Sequence, residues 1–127
     1  MKIKTNELQG AALDWAVAKC EDVWVEYVDD EITQCLLQKP SGRYAPSTDW
    51  AQGGPIIERE WISVASDTSG VIEGFEWFAT IDHILVDPEE AIGVRGPTPL
   101  IAAMRCYVAC KLGDEVEVPE QLMEVQL

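Results

Sequence analysis

The side chains best suited to bind a ligand or a partner protein lie between residues 44 and 59. Asp49 can orient a guanidinium group through two parallel hydrogen bonds. Trp50 offers an aromatic anchor, and tryptophan and arginine are over-represented at the energetic centres of protein interfaces. With one arginine added from the last predicted helix, the candidate binding residues are Tyr44, Ser47, Thr48, Asp49, Trp50, Gln52, Glu58, Arg59 and Arg105.

A purely structural interpretation of this stretch also stays open. Ser47 or Thr48 can cap a helical turn, and Asp49 is favourable near the positive end of a helix. Gly53-Gly54 permits positive φ or a close approach, and Pro55 suits a first helical position, so we expect these residues to interrupt the helix. They lack the lysine and the following Ser or Thr of a phosphate-binding loop. The stretch therefore does not predict nucleotide binding.

Catalytic chemistry has little support in this chain. A hydrolase needs a nucleophile with a base, and the one histidine, His83, stands beside Asp82 at the end of a predicted strand. A surface histidine is the competing interpretation, so no catalytic residue is assigned. Cys20, Cys35, Cys106 and Cys110 do not have the usual spacing of a zinc site, and we expect reduced thiols. We predict no metal, no cofactor and a non-enzymatic protein.

The composition limits the class of partner. The 127 residues are 47% hydrophobic and carry a net charge of −14, enough for one domain with a core over residues 1–127. This charge repels nucleic acid and anionic lipid, so we expect neither DNA binding nor membrane binding. No apolar run approaches the roughly 18 residues of a membrane span, and no export signal is visible, which predicts a cytoplasmic protein. The acidic tail, 114–127, is expected to fray.

The pattern along the chain predicts an α+β fold with three main helices on a small, mainly antiparallel sheet. Thr5 or Asn6 is expected to cap the first helix, and Thr98, with Pro99 behind it, to begin the last helix, which ends at Gly113. Predicted strands cover 2–4, 23–28, 32–38, 61–65 and 75–81, and the last of these is expected in the centre of the sheet. Residues 84–94 are expected to be mostly loop, and residues 116–125 to form a short strand or turn.

Three blocks of sequence carry a resemblance to a known family. Residues 44–59 read YAPSTDWAQGGPIIER, residues 8–19 read LQGAALDWAVAK, and residues 96–109 read GPTPLIAAMRCYVA. In these blocks the chain resembles the NinX-like proteins of lambdoid bacteriophages and their prophages, and more distantly small phage domains with an α-β-α sandwich. The resemblance implies three helices on a sheet and a phage accessory protein, and it implies no catalytic residue.

Three functions are compatible with these observations. The favoured hypothesis is an accessory protein that binds a host or phage protein through the residues named above. A second is an acidic mimic of DNA that inhibits a host nuclease or restriction factor, since 14 charges match the charge along about 24 Å of one duplex. A third is a small ligand-binding domain or enzyme that uses residues 44–59.

Overall fold

The computed structural model of the protein describes residues 1–29, 34–38, 42–66, 73–81 and 92–123. Its helices are α1 (Gly10–Glu21), α2 (Trp50–Glu60), α3 (Pro99–Leu112) and α4 (Glu120–Met123), and a 3-10 turn covers Thr5–Glu7. Its strands are β1 (Lys2–Lys4), β2 (Glu26–Asp29), β3 (Gln34–Gln38), β4 (Gly42–Arg43), β5 (Ile62–Ser66), β6 (Trp77–Ile81), β7 (Ile92–Gly96) and β8 (Glu115–Glu117). No helix in these ranges is long and apolar enough to cross a membrane.

The α+β class predicted from the sequence is confirmed, but the strands in the described part of the chain form separate small sheets instead of one. They form three small antiparallel sheets, in the orders β5-β6-β7, β2-β3-β4 and β1-β8. The aromatic strand β6 is central in the first sheet, as expected. Strand β7 was not predicted, because Val94 becomes recognisable as a strand residue only when it pairs with Ala79 and is buried beside α3. Residues 82–91, which include His83, lie outside the described residues.

Helix α3 confirms its prediction closely because its signals are local. Thr98 Oγ1 accepts a hydrogen bond from Ile101 N at 3.1 Å, Pro99 is the first helical residue, and Gly113 ends the helix with a positive φ of 91°. The helix is buried over most of its surface because it contacts β5, β6 and β7 on one side and α1 and α2 on others. Its residues form the centre of the hydrophobic core.

The first helix begins later than predicted. Neither Thr5 nor Asn6 caps it: α1 begins at Gly10, and Thr5 Oγ1 instead donates to the carbonyl of Gly113 at 2.6 Å. The partner of the Thr5 hydroxyl is therefore more than a hundred residues away in sequence, and a local pattern cannot predict it. Helix α1 packs on more than one neighbour, since it contacts α3 and β3.

The interruption predicted at the glycine pair is wrong for helix α2. It runs without a break from Trp50 to Glu60, and neither Gly53 nor Gly54 has a positive φ. Gly53 serves a close approach, since a Cβ there would meet the Pro46 carbonyl oxygen and would lie 2.5 Å from Leu100 Cδ1. The glycine thus lets α2 contact both the preceding turn and α3.

The C-terminal part of the described chain packs on the rest of the protein. Strand β8 pairs with β1, and Val116, Val118 and Leu122 are buried in the core. A short strand was expected here, and it is present. Residues 124–127 lie outside the described residues.

Candidate functional site

The N-terminus of α2 is fixed by two polar side chains. Asp49 is its cap, because Asp49 Oδ1 accepts from Ala51 N at 2.9 Å. Gln52 Nε2 donates to Asp49 Oδ2 at 3.2 Å and to the Arg43 carbonyl at 2.9 Å, while Gln52 Oε1 accepts from Ala45 N at 2.8 Å. Gln52 therefore ties the segment before the helix to the first turn of the helix. This segment carries Arg43 to the same place.

The turn before α2 is held from below by a buried carboxyl on α1. Asp14 is 6% exposed, and its Oδ1 accepts from Ser47 N at 2.8 Å. Burial raises the pKa of Asp14 to about 6, against hydrogen bonding from Ser47 and the charge of Arg43. The Ser47 hydroxyl lies close enough to lower the pKa of this carboxyl. It makes no hydrogen bond of good geometry within the described residues. Ser47 thus supports the site from inside rather than facing a ligand.

A cleft of about 470 Å³ opens beside this turn. Three of the predicted site residues, Tyr44, Asp49 and Gln52, line it together. The other lining residues are Glu21, Val23, Gln38, Arg43, Ala51 and Ile56. The cleft thus combines an apolar floor with carboxylate, guanidinium and amide groups on its walls. Use of this cleft by a small ligand stays a prediction.

The C-terminus of α2 is joined to α1 and α3 by an ion-pair network. Arg59 binds both oxygens of Glu21, with Nη1 to Oε1 at 3.0 Å and Nη2 to Oε2 at 2.6 Å. Tyr107 donates to Glu21 Oε2 at 2.5 Å, and Arg59 Nε donates to Glu60 Oε2 at 3.0 Å. Lys111 lies 3.6 Å from the other oxygen of Glu60. Arg59 therefore pairs with Glu21 and Glu60.

This network has a defined protonation state at neutral pH. Burial opposes ionisation of Glu21, but hydrogen bonds from Arg59 and Tyr107 hold its pKa below the usual range. Burial and the Glu21 carboxylate raise the pKa of the Tyr107 phenol, and burial raises that of Tyr44. Both phenols are therefore protonated and can donate but cannot act as bases. The arrangement is suited to holding three helix ends together.

The outer face of α2 carries two exposed tryptophans. Trp50 is 55% exposed at the start of the helix, and Trp61 is 72% exposed directly after its end. Pro55 and Glu58 are exposed between them, while Gly53 and Ile56 face the core on the opposite side. We call the surface formed by Trp50, Ala51, Gly54, Pro55, Glu58 and Trp61 the tryptophan face.

The predicted site residues do not form one cluster. Trp50 and Glu58 lie on the tryptophan face, Thr48 is exposed in the turn, and Arg59 belongs to the ion-pair network. Arg105 is 4% exposed and donates to the carbonyls of Leu8 at 2.7 Å and Arg95 at 3.0 Å. It therefore joins α3 to the N-terminal segment and to β7. Sequence reasoning missed Glu21 and Tyr107, for which no local signal exists, because their partners come from other helices.

Among the cysteines of the described residues, Cys106 is buried, Cys20 is half-buried and Cys110 is exposed. Burial raises the pKa of the Cys20 and Cys106 thiols to about 12, which keeps both protonated and unreactive. Within the described ranges, no three His, Cys, Asp or Glu side chains are grouped so that they could hold a metal ion. The Asp82 and His83 pair falls outside those ranges.

Comparison with known proteins gives a family. The sequence model of the family described as "Bacteriophage P22, NinX" matches residues 4–111, which is well over half of the chain. The match includes α1, α2, all but the last residue of α3, and every residue of the tryptophan face. A search of curated proteins found no match.

Proposed function

This chain belongs to the bacteriophage P22 NinX family, and we propose that it is an accessory protein that binds another protein of the phage or of its bacterial host. The observation that carries the proposal is the tryptophan face, where Trp50 and Trp61 are 55% and 72% exposed. Exposed apolar side chains that are grouped on one surface, unlike a single exposed residue such as Trp24, are typical of protein interaction sites. The proposed site of action is the host cytoplasm.

The spacing on the tryptophan face suits a protein partner better than a small ligand. Trp50 and Trp61 are eleven residues apart, which corresponds to about 16 Å along a helix. Ala51, Pro55 and Glu58 are exposed between them, so the two tryptophans are separated by an open surface. Tryptophans of this kind fill pockets on a partner and contribute a large share of binding energy.

The face is held rigid before any partner arrives. Asp49 and Gln52 fix the first turn of α2, and Arg59 fixes the last turn to α1 and α3. A rigid helix loses little conformational entropy on binding, which leaves more of the contact energy for affinity. The polar residues predicted from the sequence thus support the proposed interface from behind.

Charge indicates the partner's chemistry. The chain has a net charge of −14, and Glu58 lies between the two tryptophans. Complementary potentials steer association and select partners. We therefore propose a partner that presents apolar pockets rimmed by lysine or arginine.

The experiment is quantitative capture from phage-infected or lysogenic cells with a tagged full-length chain. The test variant is Trp50→Ala with Trp61→Ala, and the matched control is Trp24→Ala, since Trp24 is 87% exposed on another segment. We expect a stoichiometric partner with wild type and with Trp24→Ala, and at least about tenfold less with the double variant. Circular dichroism and melting curves check that all three proteins fold alike.

Two results would reject the proposal. One is the absence of any stoichiometric partner with folded wild-type protein. The other is a purified partner whose affinity for the double variant equals its affinity for wild type. Weaker association at higher salt is also expected, because the partner is proposed to be basic.

The DNA-mimic alternative stays a prediction with less support. A mimic needs uncompensated acid on one face, whereas Glu115 and Glu117 of β8 stand directly opposite Lys4 and Lys2 of β1. Opposite charges at facing positions of a sheet neutralise one another. The alternative is tested by adding the protein in excess to host nuclease assays, where unchanged cleavage would count against it.

A further inference from the structure

A groove of about 610 Å³ lies away from the tryptophan face, between the sheet β5-β6-β7 and the N-terminal segment. One wall is formed by Lys4, Thr5 and Asn6, and the other by Gly93, Val94 and Arg95 of β7. Phe75, Phe78, Ala109, Asp114 and Glu115 complete the lining. We call this the β7 groove.

The β7 groove runs along the edge of a strand. Successive side chains of a strand point to opposite faces of the sheet, so three consecutive lining residues indicate that the groove borders the backbone of β7 and not one face alone. Among the described residues, β7 pairs with β6 on one side and with no strand on the other. An unpaired edge offers main-chain N–H and C=O groups to an added strand. The Arg95 carbonyl already accepts a hydrogen bond from Arg105. An added strand would therefore pair with main-chain groups of β7 before Arg95.

The groove also has an apolar seat beside that edge. Gly93 has no side chain, and the Phe78 ring lies above it, with Cζ only 2.5 Å from where a Cβ would stand. The ring therefore reaches across β7 to the groove. The guanidinium group of Arg95 lies over the Phe78 ring, with its Cζ 5.1 Å from the ring centroid. Arg95 Nη1 also donates to the Phe75 carbonyl at 3.2 Å.

The charges around the groove are balanced, unlike those of the protein as a whole. Lys4 and Arg95 are positive, and Asp114 and Glu115 are negative. We propose that the β7 groove binds an extended peptide segment of a partner protein, which adds as a strand to β7. The peptide places one aromatic or large aliphatic side chain against Phe78 and carries charges of both signs beside it. This site is separate from the tryptophan face and does not depend on the function proposed for that face.

The experiment starts with selection from a library of random linear peptides on the immobilised full-length chain. Enriched peptides are synthesised, and their affinities are measured by fluorescence polarisation. The blocking variant is Asn6→Trp, which fills one wall of the groove at an exposed position, with Asn6→Arg as a second blocking variant. The matched control is Ser63→Trp, which places the same side chain on the exposed Ser63 of β5, at the other edge of the same sheet.

The expected result is binding to wild type and Ser63→Trp alike, and at least about tenfold weaker binding to both Asn6 variants. The bound peptide should also slow hydrogen exchange of amides in residues 92–94. Failure to enrich any peptide overturns the proposal, as does equal binding to folded Asn6 variants or protection of amides elsewhere. If size-exclusion chromatography shows a dimer that Asn6→Trp separates, a second copy occupies the groove, and the proposed partner is wrong.

Discussion

Replacing Asp14 by asparagine measures what the buried carboxyl costs the folded protein. Asp14 is 6% exposed on α1, and its Oδ1 accepts from Ser47 N at 2.8 Å. An asparagine amide keeps this acceptor and can donate to the buried Ser47 hydroxyl. The variant therefore removes the charge while it keeps the contact that positions the turn before α2.

The expected size and sign follow from the pKa of Asp14. Burial raises it from 3.8 to about 6 on folding, so the folded state holds the proton more tightly than the unfolded state. The contribution of Asp14 to stability is therefore most favourable below about pH 4 and is lost as the pH rises through about 6. Each pKa unit corresponds to about 1.4 kcal/mol, so the full cost above that range is about 3 kcal/mol.

The assay is urea unfolding followed by tryptophan fluorescence, for wild type and Asp14→Asn, at several pH values between about 4 and about 8. We expect similar free energies of unfolding near pH 4 and a variant more stable by roughly 1–3 kcal/mol near pH 8. Asp22→Asn, at the exposed end of α1, is the control and should change stability by less than about 0.5 kcal/mol. A difference that does not vary with pH, or an Asp14→Asn protein less stable near pH 8, would refute the reasoning.

Four further substitutions test the packing around α2 and α3, and the free energy of unfolding in urea is measured for each. Gly53→Ala should destabilise by about 1–3 kcal/mol because its Cβ would lie 2.5 Å from Leu100 Cδ1. Gly54→Ala, with Trp50 no nearer than 4.0 Å, meets no such contact and should cost less than Gly53→Ala, and equal effects would contradict this account. Tyr107→Phe should cost about 1 kcal/mol through the lost bond to Glu21, more at pH 7 than below the lowered pKa of Glu21. Arg105→Met should cost about 2–4 kcal/mol because two buried carbonyls lose their donor, and a loss under about 0.5 kcal/mol would show that water replaces it.

Local signals predicted the elements that depend on neighbours in sequence. The cap at Thr98, the proline behind it and the glycine at residue 113 were sufficient for α3, because each acts on backbone groups within one turn. The branched and aromatic residues of β6 likewise predicted a central strand. The α+β class followed from the order of these segments.

The interpretation of the central stretch changed most. Gly53-Gly54-Pro55 was expected to interrupt the helix, yet α2 is continuous. Gly53 is needed because Pro46 and Leu100 leave no space for a side chain, and not because the chain turns there. Arg59 was predicted from the sequence as a candidate binding residue. It binds Glu21, which is 38 residues away in sequence, and no local pattern could select that partner among so many acidic side chains.

The sequence by itself determined helix α3 with its local caps, the acidic character and the family resemblance. It also identified residues 44–59 as the stretch to test by mutation. Tertiary structure decided which members of that stretch face outward. Trp50 became a surface residue because α2 turns Gly53 and Ile56 to the core. Arg105 became a buried connector because the Leu8 and Arg95 carbonyls meet beside α3. Exposure and long-range pairing depend on how elements pack, and that information is distributed over the whole chain.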